Sequence, residues 1–230
     1  YGTDFEELYT KYEKEMPDLK KVKARALMSK IIEAQIETGQ PYMLYKDSIN
    51  NKSNQKNIGV IKSSNLCAEI VEYSEKDETA VCNLASIALP KFVTDEGKYD
   101  YQDLYQVAKL ATKNLDQVID INFYPTDKTE NSNSRHRPIG LGIQGLADVY
   151  FKMNIPYDSV QAQIINKQIF ETIYFGALEA SMELAADKGA YSTFQGSPLS
   201  QGQFQFDLWG VKPSNMWDWK GLMEKIQKHG

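Results

Sequence analysis

Four segments of the chain carry apolar residues at helical spacing. The first runs from about Phe5 to Met16, and the second ends at Gly39, which is placed as a C-terminal stop. The third is stopped by Pro125 and the fourth is closed by Gly189. The stripes of the last three helices are Ala24, Leu27, Ile31 and Ala34; Leu104, Val107, Ala108, Ala111, Leu115, Val118 and Ile119; and Val160, Ile164, Ile165, Ile169, Ile173, Leu178 and Met182.

Shorter runs between these helices predict extended structure. Val81 to Leu89 has the continuous apolar character of a strand covered on both faces, and Pro90 ends it. The other extended segments are 41–45, 58–61 and 65–73, and the polar loops are 46–57 and 126–134. Strands that alternate with helices indicate a helix-rich α/β layer or barrel, although the pattern alone cannot close a barrel.

Composition narrows the class of protein. With 230 residues, of which 42% are hydrophobic, the chain can bury a sizeable core. A formal charge of −5 gives no compositional support for nucleic-acid binding, and no apolar run approaches the roughly 20 residues of a membrane helix. Two cysteines fit reduced thiols in the cytoplasm, and two distant histidines give no zinc spacing, so no metal site is predicted.

The segment with the most chemistry places Asn65, Cys67 and Glu69 at alternate positions. In an extended strand these three side chains share one face, and the other face carries the packing residues Leu66, Ala68 and Ile70. A carboxylate can accept a proton from an alcohol, an amide can bind neighbouring hydroxyls, and a thiol can act as nucleophile or hydrogen-atom carrier. This set suits a polyhydroxylated substrate such as a ribose.

Other features of the chain have plainer interpretations. Cys67 could instead be buried as a small hydrophobe beside two surface polar residues. The run from Gly140 to Gly145 formally matches a dinucleotide fingerprint, but it lacks a preceding apolar strand, so we expect these glycines to let a helix pack close to a strand. His136 between two arginines favours a structural role over anion binding, and the aromatic residues after Tyr191 favour core or subunit contact.

Two neighbouring runs, each containing one cysteine, resemble the large catalytic subunit of class I ribonucleotide reductase in its eukaryotic-type form. They are Ser64-Asn65-Leu66-Cys67-Ala68-Glu69-Ile70-Val71-Glu72-Tyr73 and Ala80-Val81-Cys82-Asn83-Leu84-Ala85-Ser86-Ile87-Ala88-Leu89. The likeness spans nearly the whole chain, through 37–47, 135–140 and 166–174. Residues 1–230 would then be one domain fragment, from the internal or C-terminal half of the catalytic barrel.

The resemblance implies a role for each site residue. Cys67 would be the thiyl-radical cysteine that takes a hydrogen atom from C3′ of the ribose, and Glu69 the base on the 3′-hydroxyl. Asn65 would hold the ribose hydroxyls, with Ser64 beside it in the substrate site. Cys82 would be one of two reducing thiols, whose partner cysteine is absent from this chain because both cysteines are already assigned.

The resemblance also implies the surroundings of the site. The fold would be part of a ten-stranded α/β barrel with Cys67 on a central finger loop. The substrate would be a ribonucleoside diphosphate, a small partner subunit would supply the radical from a di-iron tyrosyl site, and thioredoxin or glutaredoxin would be the reductant. No cofactor would bind directly, ATP and dNTP effectors would bind outside this fragment, and the large subunit would form a homodimer or higher oligomer.

Two other classes of protein stay open at this point. One is a glycyl-radical-type enzyme with a central-loop cysteine, which would need no di-iron partner. The other is a non-catalytic fragment or docking chain of a split reductase. The chain begins without Met and ends directly after a helical pattern, which predicts a piece of a longer protein without the ATP-sensing module, so we expect no turnover from it alone.

Overall fold

The computed structural model describes residues 1–230, which fold as two compact units. The first unit comprises Tyr1–Ser53 and Val60–Glu72, and the second comprises Asn54–Gly59 and Tyr73–Gly230. The chain therefore passes from one unit to the other after residues 53, 59 and 72. Nine α-helices and one parallel pair of β-strands are present, which confirms the helix-rich α/β class.

The first unit contains helices α1 (Gly2–Glu15), α2 (Ala24–Thr38) and α3 (Lys46–Lys52). The first two confirm the helical periodicity, and Gly39 ends α2 in the left-handed conformation with φ 76°. The predicted strand over 41–45 is wrong, and α3 lies inside the predicted loop 46–57. Helix α3 was not predicted because it has no apolar stripe, and its one buried residue is the polar Asn50.

The second unit contains both strands and the remaining helices. Strands β1 (Leu84–Ala88) and β2 (Gly140–Gln144) are parallel, with Leu84 opposite Gly140. Short 3-10 turns cover Leu89–Phe92 and Leu199–Gln201. The helices are α4 (Tyr101–Ile121), α5 (Asp127–His136), α6 (Leu146–Lys152), α7 (Val160–Lys188), α8 (Gln205–Leu208) and α9 (Trp219–His229).

Strand β1 confirms the strand predicted within 81–89, but not its burial on both faces. Ile87 is buried, whereas Leu84 is 52% exposed, because β2 is the only strand that pairs with β1. Helix α5 replaces the predicted loop 126–134. Its buried residues, Ser132, Asn133 and His136, are all polar, so hydrophobic periodicity could not reveal it.

Two glycines of the rejected dinucleotide motif, Gly140 and Gly142, lie in β2, and the third, Gly145, directly precedes α6 with a φ of 80°. A Cβ atom at Gly140 would lie 2.6 Å from the Leu84 side chain, and one at Gly142 would lie 3.3 Å from Ser86 Oγ. Gly140 and Gly142 therefore permit a close approach to the neighbouring strand, whereas a Cβ atom at Gly145 would lie 2.6 Å from the Pro90 side chain of the first 3-10 turn. Neither contact is between a helix and a strand, so the predicted helix-to-strand contact is wrong. A fingerprint turn would have followed a strand instead of occupying one.

Helices α4 and α7 form the central packing contact of the second unit. At their crossing, Gly176 of α7 faces the backbone of α4, where a Cβ atom would lie 2.9 Å from the Tyr105 carbonyl oxygen. Ile165, Ile169 and Ile173 of α7 are buried in one apolar cluster. Val160 and Ile164, also predicted on that stripe, are 71% and 52% exposed.

The aromatic residues after Tyr191 form the second apolar cluster of this unit. Phe194, Phe204 and Trp219 are buried, with Phe206 and Trp217 packed against them. Trp217 stacks on both Tyr105 and Phe175, with ring centroids 4.9 Å apart in each pair. The predicted core role of these aromatics is confirmed, with the exception of Trp209, which is 59% exposed.

Candidate functional site

The segment that carries Asn65, Cys67 and Glu69 is a turn. The amide of Ala68 donates to the carbonyl of Asn65 at 3.1 Å, and Ala68 has a left-handed φ of 65°. Leu66 is 84% exposed and packs no core. The prediction of one extended face for the amide, thiol and carboxylate, with a packing face opposite, is therefore wrong.

Local hydrogen bonds explain why this segment turns. Asn65 Oδ1 accepts from the amide of Ile70 at 3.1 Å, and Ser64 Oγ donates to the carbonyl of Ile70 at 2.5 Å. Short polar side chains of this kind compete with strand pairing by bonding the nearby backbone. Ser64 and Asn65 thus fold the segment back on itself, and this brings Asn65 and Ile70 together around Cys67.

The three chemical groups of this segment are exposed. Asn65, Cys67 and Glu69 all lie at the surface, and Cys67 is not in a disulfide. Close by in sequence, burial raises the pKa of the Glu72 carboxyl to about 7. Sequence reasoning missed Glu72, since its residue type and spacing carry no sign of burial.

The start of this segment is fixed within the first unit. The buried side chain of Asn50 on α3 accepts from the Ile61 amide at 2.7 Å and donates to the Ile61 carbonyl at 3.1 Å. Its amide group also donates to the carbonyl of Lys46 at 3.0 Å. Ile61 is 3% exposed, so the segment leaves a buried and fully bonded position before it reaches Ser64.

Cys82 lies in the second unit, directly before a buried asparagine. Its thiol is exposed and is not in a disulfide. Asn83 donates through Nδ2 to Asn133 Oδ1 at 2.6 Å and to the Pro138 carbonyl at 2.8 Å, while its own carbonyl accepts from the Gly140 amide at 2.9 Å. The residue after Cys82 is therefore bonded to α5 and to the chain that enters β2.

His136 is the centre of a buried polar cluster in the same unit. Its Nε2 lies 2.5 Å from Glu78 Oε2, and its Nδ1 lies 2.9 Å from Thr193 Oγ1. Arg135 pairs with the other oxygen of Glu78. Burial, followed by the positive charge of Arg135, lowers the pKa of His136 below 6.5.

These contacts assign the tautomer of a neutral imidazole. Nε2–H donates to the Glu78 carboxylate, and Nδ1 accepts from the Thr193 hydroxyl. Every polar atom of the His136 ring is then satisfied inside the protein. This arrangement agrees with the structural role favoured for His136 by its sequence context.

Two further features bear on the chemistry of the chain. No group of three or more histidine, cysteine, aspartate or glutamate side chains is arranged to hold a metal ion. None of the helices is both long and apolar enough to cross a membrane.

Comparison with known proteins places this chain in a family. The sequence profile described as "Ribonucleotide reductase, barrel domain" matches residues 1–230. A "Ribonucleoside-diphosphate reductase large subunit" of Caenorhabditis elegans is 58% identical over 230 residues, which are 100% of this chain and 29% of that protein. A "Ribonucleoside-diphosphate reductase large chain 2" of Saccharomyces cerevisiae is 57% identical over 235 residues, 100% of this chain and 27% of that protein.

A third relative gives the same result. The "Ribonucleoside-diphosphate reductase large chain" of Schizosaccharomyces pombe is 55% identical over 230 residues, 100% of this chain and 28% of that protein. The chain thus spans less than a third of the length of each of these three relatives. On the match of the profile to all of its residues, the chain belongs to the ribonucleotide reductase barrel-domain family.

Proposed function

We propose that this chain is part of the catalytic subunit of a ribonucleoside-diphosphate reductase, which converts ribonucleotides to deoxyribonucleotides by thiyl-radical chemistry. The observation that carries the proposal is the profile match over residues 1–230, which includes both cysteine segments. In the complete protein the two units would form part of a ten-stranded α/β barrel, with Cys67 on its finger loop. The substrate would be a ribonucleoside diphosphate.

Cys67 would begin the reaction as a thiyl radical. It would take the hydrogen atom from C3′ of the ribose, which leaves a carbon radical on the sugar and a thiol on Cys67. Its place on a tight turn supports this role, because hydrogen transfer requires the sulfur to lie at near-attack distance from one C–H bond. At the end of the reaction Cys67 would return the hydrogen atom to C3′.

Glu69 and Asn65 would handle the ribose hydroxyls. Glu69 would accept the proton of the 3′-hydroxyl, which helps to expel the 2′-hydroxyl as water. Asn65 uses its Oδ1 within the turn, so its Nδ2 group would donate to a ribose hydroxyl, with Ser64 lining the same site. The exposure of Asn65 and Glu69 supports contact with a bound substrate.

Cys82 would supply half of the reducing equivalents. Replacement of the 2′-hydroxyl by hydrogen, with release of water, requires two electrons and two protons, and two thiols supply both as they become one disulfide. The second thiol would come from the part of the large subunit outside this chain. Thioredoxin or glutaredoxin would then reduce the disulfide.

The remaining parts of the system would also lie outside this chain. A small partner subunit would generate the radical at a di-iron tyrosyl site, and ATP and dNTP effectors would bind elsewhere on the large subunit. The large subunit would act in the cytoplasm as a homodimer or higher oligomer. The isolated 230-residue chain would have no turnover.

The experiment that tests this proposal is nucleoside-diphosphate reduction by the full-length reductase with its radical-supplying partner. Cys67→Ser is expected to abolish all substrate chemistry, because an alcohol O–H bond is a poor source of a radical. Cys82→Ser is expected to allow radical attack on the substrate without normal product. Turnover by Cys67→Ser would contradict the radical role, and normal product from Cys82→Ser would contradict the reducing role.

A further inference from the structure

The loop that carries the candidate site has both of its ends attached to the second unit. Ser64, Asn65, Cys67 and Glu69 all lie in Val60–Glu72, which belongs to the first unit. Its flanking residues, Gly59 and Tyr73, belong to the second unit. Contacts that hold Gly59 and Tyr73 therefore hold the two stems of the loop.

The two stems contact each other directly. The amide of Tyr73 donates to Gln55 Oε1 at 2.7 Å. The ring of Tyr73 also covers Gly59 so closely that a Cβ atom at Gly59 would collide with it. Gln55 and Gly59, which precede the loop, thus both contact Tyr73, the first residue after it.

A second set of contacts joins the same stems through α5 and the chain after α7. The ring of Tyr73 packs edge-on against His136, with centroids 6.5 Å apart and an interplanar angle of 89°. His136 Nδ1 bonds Thr193 Oγ1 at 2.9 Å, and the Thr193 carbonyl accepts from Asn57 Nδ2 at 3.1 Å. The contacts run from Gln55 to Tyr73, then to His136, Thr193 and Asn57. Because Asn57 is two residues from Gln55 in the chain, they form a closed ring.

We propose that this ring, formed by Gln55, Asn57, Tyr73, His136 and Thr193, is a clamp that positions the Cys67 thiol by fixing both ends of its loop. The inference rests on the proposed radical function. Within the loop, Ile61 is also bonded to Asn50. Joining Gly59 to Tyr73 removes further conformational freedom from the residues between them, because it closes the two ends of the loop. Because a displacement of about 1 Å can cost a hundredfold in rate, fixed stems matter for hydrogen transfer.

The clamp residues are positioning residues. The proposed chemistry uses none of them, and they act on Cys67 only through the stems of the loop. A role limited to stabilising the second unit is the competing explanation. The two explanations predict different effects of removing one of these contacts. If the ring is a clamp, backbone motion increases in residues 60–72; if it only stabilises the second unit, backbone motion increases throughout that unit.

The test uses the full-length reductase and two pairs of substitutions. Thr193→Val removes the hydroxyl that bonds His136, and Thr193→Ser keeps it. Gln55→Ala removes the acceptor for the Tyr73 amide, and Gln55→Glu keeps an acceptor there. Gln161→Ala, at an exposed position of α7, is the matched control.

Amide hydrogen exchange is the first measurement, because the amides of Ala68 and Ile70 are bonded within the loop. Thr193→Val and Gln55→Ala are expected to speed exchange in residues 60–72 by about tenfold, the effect of losing one hydrogen bond. Exchange in α4 and α7 is expected to stay at its wild-type rate. Wild-type exchange in 60–72, or an equal rise throughout the second unit, would overturn the clamp.

Nucleotide reduction with the radical-supplying partner is the second measurement. Thr193→Val and Gln55→Ala are expected to lower kcat by about tenfold to a hundredfold, with Thr193→Ser and Gln55→Glu close to wild type. Failure of both conservative variants to restore kcat would overturn the positioning role. Turnover by Cys67→Ser would instead contradict the proposed radical function. Hydrogen exchange would still show whether the ring restrains the loop.

Discussion

The side chains of Asn83 and Asn133 exchange two hydrogen bonds, directly beside Cys82. Asn83 Nδ2 donates to Asn133 Oδ1 at 2.6 Å, and Asn133 Nδ2 donates to Asn83 Oδ1 at 3.3 Å. Both residues are buried, and Asn133 also donates to the hydroxyl of Tyr124. The proposed reducing thiol is thus one residue away from a fixed connection between α5 and the residue that precedes β1.

Asn133→Ala is expected to destabilise the second unit by about 1 to 3 kcal/mol, because it leaves the buried amide of Asn83 short of a partner. Thermal denaturation monitored by intrinsic fluorescence would measure the loss. Asn131→Ala on the same helix is the control, since Asn131 is exposed and makes one bond, to the Asp77 carbonyl. Equal midpoints for the two variants would contradict the importance of the buried pair.

His136 is expected to make the second unit less stable in mild acid. Its pKa in the folded protein lies below 6.5 because of burial and then the charge of Arg135, so the unfolded chain binds the proton more readily. Stability is therefore full above pH 6.5 and is lost as the pH falls from there through the lowered pKa. Denaturation midpoints measured from pH 8 to pH 5 would show the decline.

His136→Gln is the variant that isolates this effect, because its amide can replace one ring contact but cannot titrate. The decline between pH 6.5 and pH 5 is expected to become shallower in this variant, even if its midpoint at pH 8 is lower. His229→Gln, on the partly exposed C-terminal helix α9, is the control. An identical pH profile for wild type and His136→Gln would rule out His136 as the titrating group.

Glu72 is expected to have the opposite pH dependence. Burial raises its pKa to about 7 from an ordinary value of 4.5, so the folded state holds the proton more tightly than the unfolded chain. The contribution of Glu72 is full below pH 4.5 and is lost as the pH rises through 7. Glu72→Gln should gain on the order of 2 to 3 kcal/mol relative to wild type at pH 8, and little at pH 4.

The sign of the Glu72 effect can be checked with denaturation midpoints at the two pH values. Glu69→Gln serves as the comparison, because Glu69 is exposed in the same segment. A lower midpoint for Glu72→Gln at pH 8 would show that the ionised carboxylate stabilises the fold, contrary to this expectation.

Gly176→Ala is expected to cost about 1 to 3 kcal/mol by forcing α4 and α7 apart. The added methyl would meet both the Tyr105 carbonyl and the Ala108 side chain, and neither can move without shifting α4. Ser181→Ala, at an exposed position of the same helix, is the control for helix propensity. A midpoint for Gly176→Ala as high as that of Ser181→Ala would mean that the two helices separate without cost.

The sequence predicted the helices α1, α2, α4 and α7, in which apolar residues recur at helical spacing, and it did not predict the short helix α6. Helix α4, and the end of α2 at Gly39, follow from helical spacing and stop signals. Helices α3 and α5 were missed because they bury asparagine, serine and histidine. A usable signal for α5 was the charge pattern, with Asp127 and Glu130 in its first turn and basic residues in its last, which complements the helix dipole.

The candidate site was predicted by residue type more than by conformation. Alternation along 65–69 suggested a strand, but the Asn65 side chain bonds the Ile70 amide and makes a turn. The family resemblance, now supported over the whole chain, points to the same residues whichever conformation they adopt. The ring through Thr193 was beyond sequence reasoning, because Asn57 and Thr193 are 136 residues apart.

The chain crosses between its two units three times, and these crossings affect the order in which its parts fold. The loop with Cys67 is closed by residues from positions 55 to 193, so its stems gain their native contacts only after most of the chain has been synthesised. Contacts between such distant residues form slowly, because the entropy cost of closing a large loop must be met before the contacts can stabilise the fold. The turn around Cys67 depends on local hydrogen bonds and can form early, whereas the two ends of its loop would be joined to Thr193 among the last steps of folding.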